Sequence, residues 1–377
     1  MTKVIFETAT ISDAIRKAAR IAPSKGAAFD KAQGIVIDMS PGTDFPVVVR
    51  ATNLEIFSME WVDLIEAEGE PVSWRVPASV FAQVMAGLPI GSGNQVTLED
   101  KRSSSGYLQL HLTQARIKAR FNLMRGEDYP VWPVFDPDTL FPATDLGGRI
   151  SQVEWAAAKG DPPFSGVHFN GDQALSTDRY RLACVPLSIP DLKEPVTVPA
   201  GILGMVLKQT GEISIGVEGD QMLIMPDEHT QIRTILYGVE YPKVERIMHR
   251  DFDNSVKVKK TEVIERMTRA TAFSGADRAP TLRVFIGKGE FAVMMNNEEI
   301  GLLGDVIELP GQCAHPRTEF LFTPKNIMEA ISNSPNEDVE IFYDPEQPKK
   351  IIYLNGGSGY EAWVMPRYDT STVMSTT

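Results

Sequence analysis

A helix with the same opening and closing punctuation occurs three times in this chain, at intervals of roughly 120 to 125 residues. The first copy is Val76-Pro77-Ala78-Ser79-Val80-Phe81-Ala82-Gln83-Val84-Met85-Ala86-Gly87, with proline at the expected first helical position and glycine past the end. The second is Val198-Pro199-Ala200-Gly201-Ile202-Leu203-Gly204-Met205-Val206-Leu207-Lys208, closed by Gly211. The third is Thr323-Pro324-Lys325-Asn326-Ile327-Met328-Glu329-Ala330-Ile331, closed by Pro335. Such an interval is the size of a domain and not of a solenoid unit. A chain built this way has little choice but to make one fold three times over.

Other signals keep the same period. Polar turns occur at Thr52-Asn53-Leu54-Glu55, Ser176-Thr177-Asp178-Arg179-Tyr180-Arg181-Leu182 and Asn296-Asn297-Glu298-Glu299, each after an apolar strand pattern. Asp128-Tyr129-Pro130, Glu240-Tyr241-Pro242 and Val364-Met365-Pro366 close the three repeats. Each repeat also opens with a helical pattern. In the first, Thr10 stands where a cap belongs, Ile11, Ile15, Ala18, Ala19 and Ala22 give the apolar face, and Pro23 stops it. Residues 149–160 and 257–269 are read as its counterparts. Between the helices lie alternating runs of strand type, such as Leu108-Gln109-Leu110-His111-Leu112. Gly91-Ser92-Gly93 and Gly287-Lys288-Gly289 read as hairpin turns. The expected fold is α+β: three tandem similar domains at 1–127, 128–247 and 248–368, each two helices packed on antiparallel sheets, and a loose polar tail at 369–377.

Composition narrows the class. The 377 residues are 43% hydrophobic and 23% charged, the balance of a soluble globular protein. No apolar run approaches the roughly 20 residues that span a membrane, and Met1 to Glu7 reads as a first strand. Cys184 and Cys313 are the only cysteines, which points to a reducing compartment, by default the cytoplasm. The formal net charge of −13 argues at face value against a nucleic-acid partner. Its distribution argues otherwise. Arg16, Lys17, Arg20 and Lys25 face only Asp13 on the first helix, and Lys257, Lys259, Lys260, Arg266 and Arg269 outnumber Glu262 and Glu265 in the third repeat. Arg149 and Lys159 outnumber Glu154 in the second. Cations gather on the first helix of each repeat while the rest of the chain is acidic. That pattern is either a set of solvated helix faces or one cationic surface assembled for a polyanion.

Catalytic signatures are missing. There is no Gly-x-x-x-x-Gly-Lys-Ser/Thr loop, complete Gly-x-Gly-x-x-Gly, His-Glu-x-x-His or Gly-x-Ser-x-Gly. Cys313 and His315 have no second pair at ligand spacing. Asp136 with Asp138, and Asp227 with Glu228, lie in turn-like stretches and read as surface carboxylates. The expectation is no catalytic residue, no metal and no cofactor.

With the repeats laid out, the chain resembles the bacterial DNA polymerase III beta subunit, the sliding clamp, and its phage-encoded relatives. The likeness rests on Gly166-Val167-His168-Phe169 leading to Ser176-Thr177-Asp178-Arg179-Tyr180-Arg181-Leu182-Ala183, on Phe121-Asn122-Leu123 with Tyr129-Pro130, on Tyr241-Pro242-Lys243-Val244-Glu245-Arg246-Ile247, and on Val364-Met365-Pro366. It covers nearly the whole chain. The resemblance implies three clamp domains per chain and a homodimer closed head to tail into a ring. Helices would line the hole round double-stranded DNA, held by non-specific contacts. DNA polymerase and clamp loader would dock through short linear motifs, and no reaction would be catalysed.

The resemblance also distributes roles. Arg16, Lys17, Arg20, Lys25, Lys159, Lys208, Lys260, Arg266 and Arg269 become the DNA-facing candidates. A partner-peptide pocket would be walled by Phe164, Thr177, Arg179, Tyr180, Arg181 and Leu182, by Pro242, Arg246 and Ile247, and by Val364, Met365, Pro366 and Arg367. Arg179-Tyr180 departs from the Gly-His common in the family, which makes this pocket narrower, more aromatic and more basic. Ser79 stands where a basic residue often contacts DNA. Two other readings remain open at this point: a clamp-fold peptide-binding scaffold that is not loaded on DNA, and a hydrolase on a repeated α+β scaffold.

Overall fold

The computed structural model describes residues 1–23, 30–40, 46–125, 128–132, 139–189, 192–201 and 212–367. The chain divides into two compact units, Met1–Thr144 with Glu212–Ile235, and Asp145–Gly211 with Leu236–Thr377. Every paired strand runs antiparallel to its neighbour, as the short alternating runs require.

In the first unit a five-stranded sheet runs in the order Glu66–Glu68, Lys3–Glu7, Gln95–Arg102, Leu108–Gln114, Ile117–Asn122. An eight-stranded sheet runs Phe141–Thr144, Glu212–Glu218, Gln221–Asp227, Thr230–Ile235, Ile56–Trp61, Val47–Thr52, Ile35–Met39, Val72–Val76. Helices Thr8–Ile21 and Ala78–Ala86 pack on each other. Ile11, Ala14, Ile15 and Ala18 are buried on one face of the first helix, at the spacing that an apolar stripe needs. Phe6, Trp74 and Phe81 complete this core with no exposure.

The second unit repeats the plan. Its eight-stranded sheet runs Val196–Pro199, Gly166–Phe169, Gln173–Thr177, Arg181–Pro186, Tyr360–Val364, Ile352–Gly357, Asp338–Tyr343, Asn254–Lys259. A four-stranded sheet runs Gly301–Glu308, Glu290–Asn297, Leu282–Gly287, Thr318–Phe322. Helix Lys260–Thr271 packs over it, and helix Pro324–Ser332 packs on that helix and on strands Ile352–Gly357 and Tyr360–Val364. Trp363, Tyr343, Tyr360, Phe291, Phe320 and Phe322 are fully buried, each contributing about 1.5–3 kcal/mol of apolar burial or more.

The recurring turns share one hydrogen-bond design. Thr52 Oγ1 donates to Ile56 O at 2.6 Å and accepts the Leu54 N–H at 2.9 Å, while Asn53 Oδ1 accepts the N–H groups of Glu55 and Ile56. Thr177 Oγ1 likewise donates to Arg181 O at 2.6 Å and accepts the Arg179 N–H at 3.1 Å, while Asp178 Oδ1 accepts from Tyr180 and Arg181. Asn297 Oδ1 accepts from Glu299 and Ile300 in the third copy. Threonine followed by Asn or Asp is therefore a working part of the turn. Even the next sheet partner repeats, with Ile235 N donating to Glu55 O at 2.9 Å and Met365 N to Tyr180 O at 2.8 Å.

Some local expectations need correction. The first helix begins at Thr8 with Glu7 as its N-cap and no side-chain cap bond, so Thr10 does not cap it. The Thr8 N–H is satisfied instead by Asn94 O, and its hydroxyl accepts from Gln114 Nε2. Pro77 is the N-cap residue itself, whereas Pro324 holds the first helical position as expected. Residues 149–160 do not form one helix. A six-residue helix Leu146–Ser151 gives way to a single tight turn Glu154–Ala156, where Gly147 and Gly148 weaken helix propensity and the Val153 carbonyl accepts from Ser176 Oγ. Lys257 and Lys259 lie on a strand and not on the helix. Lys288 and Gly289, both at positive φ, make a two-residue hairpin turn between paired Gly287 and Glu290. Gly91 to Gly93 instead joins helix to strand. Past Gly201 the second proline-led helix lies outside the described residues, as does the tail from residue 368.

Candidate partner-docking site and basic helix faces

The turn Thr177–Arg181 projects from the eight-stranded sheet of the second unit and is fixed from below. Arg181 pairs with Val364 and Leu182 with Trp363 across the sheet. Leu182 and Val364 have no exposure and Thr177 has 2%, so these three are floor and support. Leu182 belongs to a cluster with Leu175, Cys184, Tyr241, Val244, Tyr353 and Trp363. The Arg181 side chain is only 6% exposed, held by Asp178 Oδ2 at 2.9 Å and by Glu329. Its guanidinium also lies 5.1 Å from the Trp155 ring centroid. Buried and paired, Arg181 positions the turn and has little left to offer a ligand.

Above this floor Tyr180 and Phe164 reach the surface, over buried Tyr241. Tyr180 is 66% exposed. Phe164, half-buried, stands 6.5 Å from Tyr241, and Tyr241 stacks on His168 at 4.5 Å. Arg179 places its guanidinium carbon 4.0 Å over the Phe164 ring while its Nη1 meets Asp161 Oδ2 at 2.9 Å. Pro242 is half-buried, Arg246 and Ile247 are exposed, and Met365 is half-buried beside buried Pro366. Arg367 is tied down elsewhere, its N–H to Leu321 O and its Nη1 to the carbonyls of Ala279 and Pro280. Asp161, His168 and Tyr241 were not assigned to the pocket from sequence, although His168 and Tyr241 lie in motifs that carry the resemblance. Tyr241 carried a signal in the repeated Tyr-Pro pair, but nothing local marks Asp161.

Burial lowers the His168 pKa below the ordinary 6.5, with Glu245 opposing, while its Nδ1 sits 2.9 Å from Thr197 Oγ1. The folded chain therefore holds His168 neutral after the unfolded chain has begun to take up a proton. Stability should fall as pH drops below about 6.5 and level off once pH passes the folded value. Chemical unfolding at pH 7 and pH 5 checks this: His168→Gln should lose less stability across that interval than the unmodified chain. An equal loss would place the titration elsewhere.

The basic residues fall into several environments. Arg16 and Arg20 are exposed on helix Thr8–Ile21, and Arg16 pairs with Asp13. Lys17 is half-buried, 2.7 Å from Glu60 and 3.1 Å from Asp13. Burial works against its charge, but those carboxylates outweigh it and raise its pKa. Lys159 is exposed. Lys260 Nζ donates to Ser334 O at 2.8 Å. Arg266 and Arg269 share Asp305, at 3.3 and 2.6 Å, and the Arg269 bond, with both charges, holds the Asp305 carboxyl below its usual range. Lys25 and Lys208 lie outside the described residues.

Among the described residues, no group of three or more His, Cys, Asp and Glu side chains could hold a metal ion. Burial pushes the Cys184 thiol up to about 12, which leaves it protonated and unreactive. No described helix is long and apolar enough to cross a membrane.

No protein-family model matches the chain. It is 22% identical over 305 residues to the beta sliding clamp of Streptococcus pneumoniae, covering 77% of this chain and 78% of that protein. The crystal structure of the DNA polymerase III beta subunit of Thermotoga maritima superposes with a TM-score of 0.84 at 19% identity, over 98% of this chain and all of that one. A Pseudomonas aeruginosa sliding clamp bound to griselimycin gives 0.82 at 16%, again over 98% of this chain. Sequence divergence is wide, yet the shared fold extends over nearly the whole chain. The chain has the α+β fold of the bacterial DNA polymerase III beta subunit, the sliding-clamp fold.

Proposed function

We propose that this chain is a sliding clamp: two copies close head to tail into a ring round duplex DNA and tether polymerase, clamp loader and other factors. The observation that carries this reading is agreement with beta-subunit structures over 98% of the chain at a TM-score of 0.84. The three-domain division at 1–127, 128–247 and 248–368 belongs to the same proposal. Tethering is topological and calls for no catalytic group.

Two edge strands support self-association. Ile117–Asn122 ends the five-stranded sheet and Gly301–Glu308 ends the four-stranded one, each with unpaired backbone on its outer side among the described residues. Ile117 is 39% exposed on the first, and Leu302 and Val306 are 60% and 44% exposed on the second. The first strand carries exposed Lys118 and Arg120, and the second carries exposed Glu308, Asp305 being already held by Arg266 and Arg269. Long apolar edges of opposite charge are what β-pairing between two copies uses.

The basic helix faces support the DNA role, through Arg16, Lys17, Arg20, Lys25, Lys159, Lys208, Lys260, Arg266 and Arg269. Sliding needs weak phosphate contacts without base readout. Carboxylates already temper Arg16, Lys17, Arg266 and Arg269, which keeps the attraction loose. Replacing Arg16 and Arg20 together by alanine should weaken association with duplex DNA and reduce the salt slope of log K by about 2. Titrations at several salt concentrations check this, and an unchanged slope would remove that helix from the DNA face.

The aromatic side chains of Phe164 and Tyr180, with Arg179, Arg246, Ile247 and Met365 around them, support docking of extended peptides. Apolar surface takes the anchors and a few polar groups set direction. Binding of griselimycin is a property of the Pseudomonas clamp; here it suggests a ligand to try.

A further inference from the structure

Arg179 holds φ at +78°, a left-handed conformation that a side chain disfavours. The turn itself imposes this, since Leu54 takes φ 77° at the same point of the first copy. What the side chain does there is particular to Arg179. Its guanidinium covers the face of Phe164 at 4.0 Å and is held by one carboxylate, Asp161 Oδ2, at 2.9 Å. Both partners of that pair are open to solvent, at 58% and 46% side-chain exposure. Exposed ion pairs and exposed cation–π contacts are each weak. The cover can therefore be exchanged. The neighbouring guanidinium cannot, because Arg181 is buried between Asp178 and Glu329.

We propose that Arg179 sets the specificity of the docking site, selecting extended peptides that carry a carboxylate beside an apolar or aromatic anchor. This rests on the docking role proposed above. The anchor takes the Phe164 face that the guanidinium now covers, and the peptide carboxylate replaces Asp161 as the partner of Arg179. A neutral peptide must break the Arg179–Asp161 pair and give nothing back, so it binds more weakly. Asp161, half-exposed, returns to water when released.

The test pans the full chain against a random hexapeptide phage library. Two synthetic peptides from the selected set, differing only by Glu or Gln beside the anchor, are then compared by fluorescence anisotropy. The unmodified chain should select an apolar anchor next to Asp or Glu and prefer the Glu peptide by about tenfold, less at high salt. Arg179→Ala should still select the anchor, bind the Gln peptide several-fold more tightly than the unmodified chain does, and lose the preference for Glu. Arg179→Gly, which also relieves the left-handed strain, should behave alike and guards against a folding artefact. If the unmodified chain binds both peptides equally, or the preference survives in both variants, the role of Arg179 is wrong while docking stands. If no sequence is selected over a Phe164→Asp chain, the docking role fails as well.

Discussion

Replacing Leu302 and Val306 together by aspartate should leave a monomer of 41.6 kDa where the unmodified chain, as the proposed dimer, should sediment at twice that mass. Both side chains stand outward on an edge strand, 60% and 44% exposed, so the substitutions should leave the folded chain intact. Within an edge-to-edge interface they would lose two apolar anchors, each contributing about 1.5–3 kcal/mol. The dimer dissociation constant should rise by at least about 100-fold. Analytical ultracentrifugation at micromolar concentration reads the mass, and far-UV circular dichroism confirms the fold. A variant that still sediments as a dimer would remove this edge from the interface.

Trp363→Ala should destabilise the second unit by about 3–5 kcal/mol. The indole has no exposure, packs 5.1 Å from Tyr353 and donates its Nε1–H to His249 O at 2.9 Å. Arg250 lies 5.3 Å from its ring centroid. Removing it opens a cavity under Leu182, its cross-strand partner, and leaves the His249 carbonyl without that donor. Because the strand that begins at Arg181 carries the proposed docking turn, peptide affinity should fall along with stability. Tyr180→Ala separates the two effects. At 66% exposure, Tyr180 should change peptide affinity while stability stays within about 0.5 kcal/mol and the oligomeric state is unchanged. Equilibrium unfolding in urea, with peptide binding on both variants, reads the contrast. Peptide binding indifferent to Tyr180→Ala would mean that the docking site has been misplaced.

Local chemistry made the repeats legible. Thr52-Asn53 and Thr177-Asp178 are spelled out in the chain because each turn is built from side chains within four residues of one another. The Lys288-Gly289 hairpin was readable for the same reason. Partners distant in sequence were not. Glu329 meets Arg181 across 148 residues, and Asp305 meets Arg269 across 36; no local pattern encodes either meeting. This is why a positive helix looked freer than it is, and why Arg181 read as a contact residue when it is a support. Helix starts were misjudged where tertiary groups did the capping, as Asn94 does for Thr8. The broken helix near Leu146–Ser151 was hidden by a charge pattern that suited a longer one.

Retention on circular DNA tests the central claim most directly. Nicked circular duplex is incubated with the chain, its cognate clamp loader and ATP, then gel-filtered before and after a single restriction cut. A topological tether predicts that protein travels with the circle and is lost once the circle is linearised. Equal retention on both forms would contradict encirclement. Absence from both, with a stable 41.6 kDa monomer that still binds peptides, would favour a docking scaffold that is never loaded on DNA.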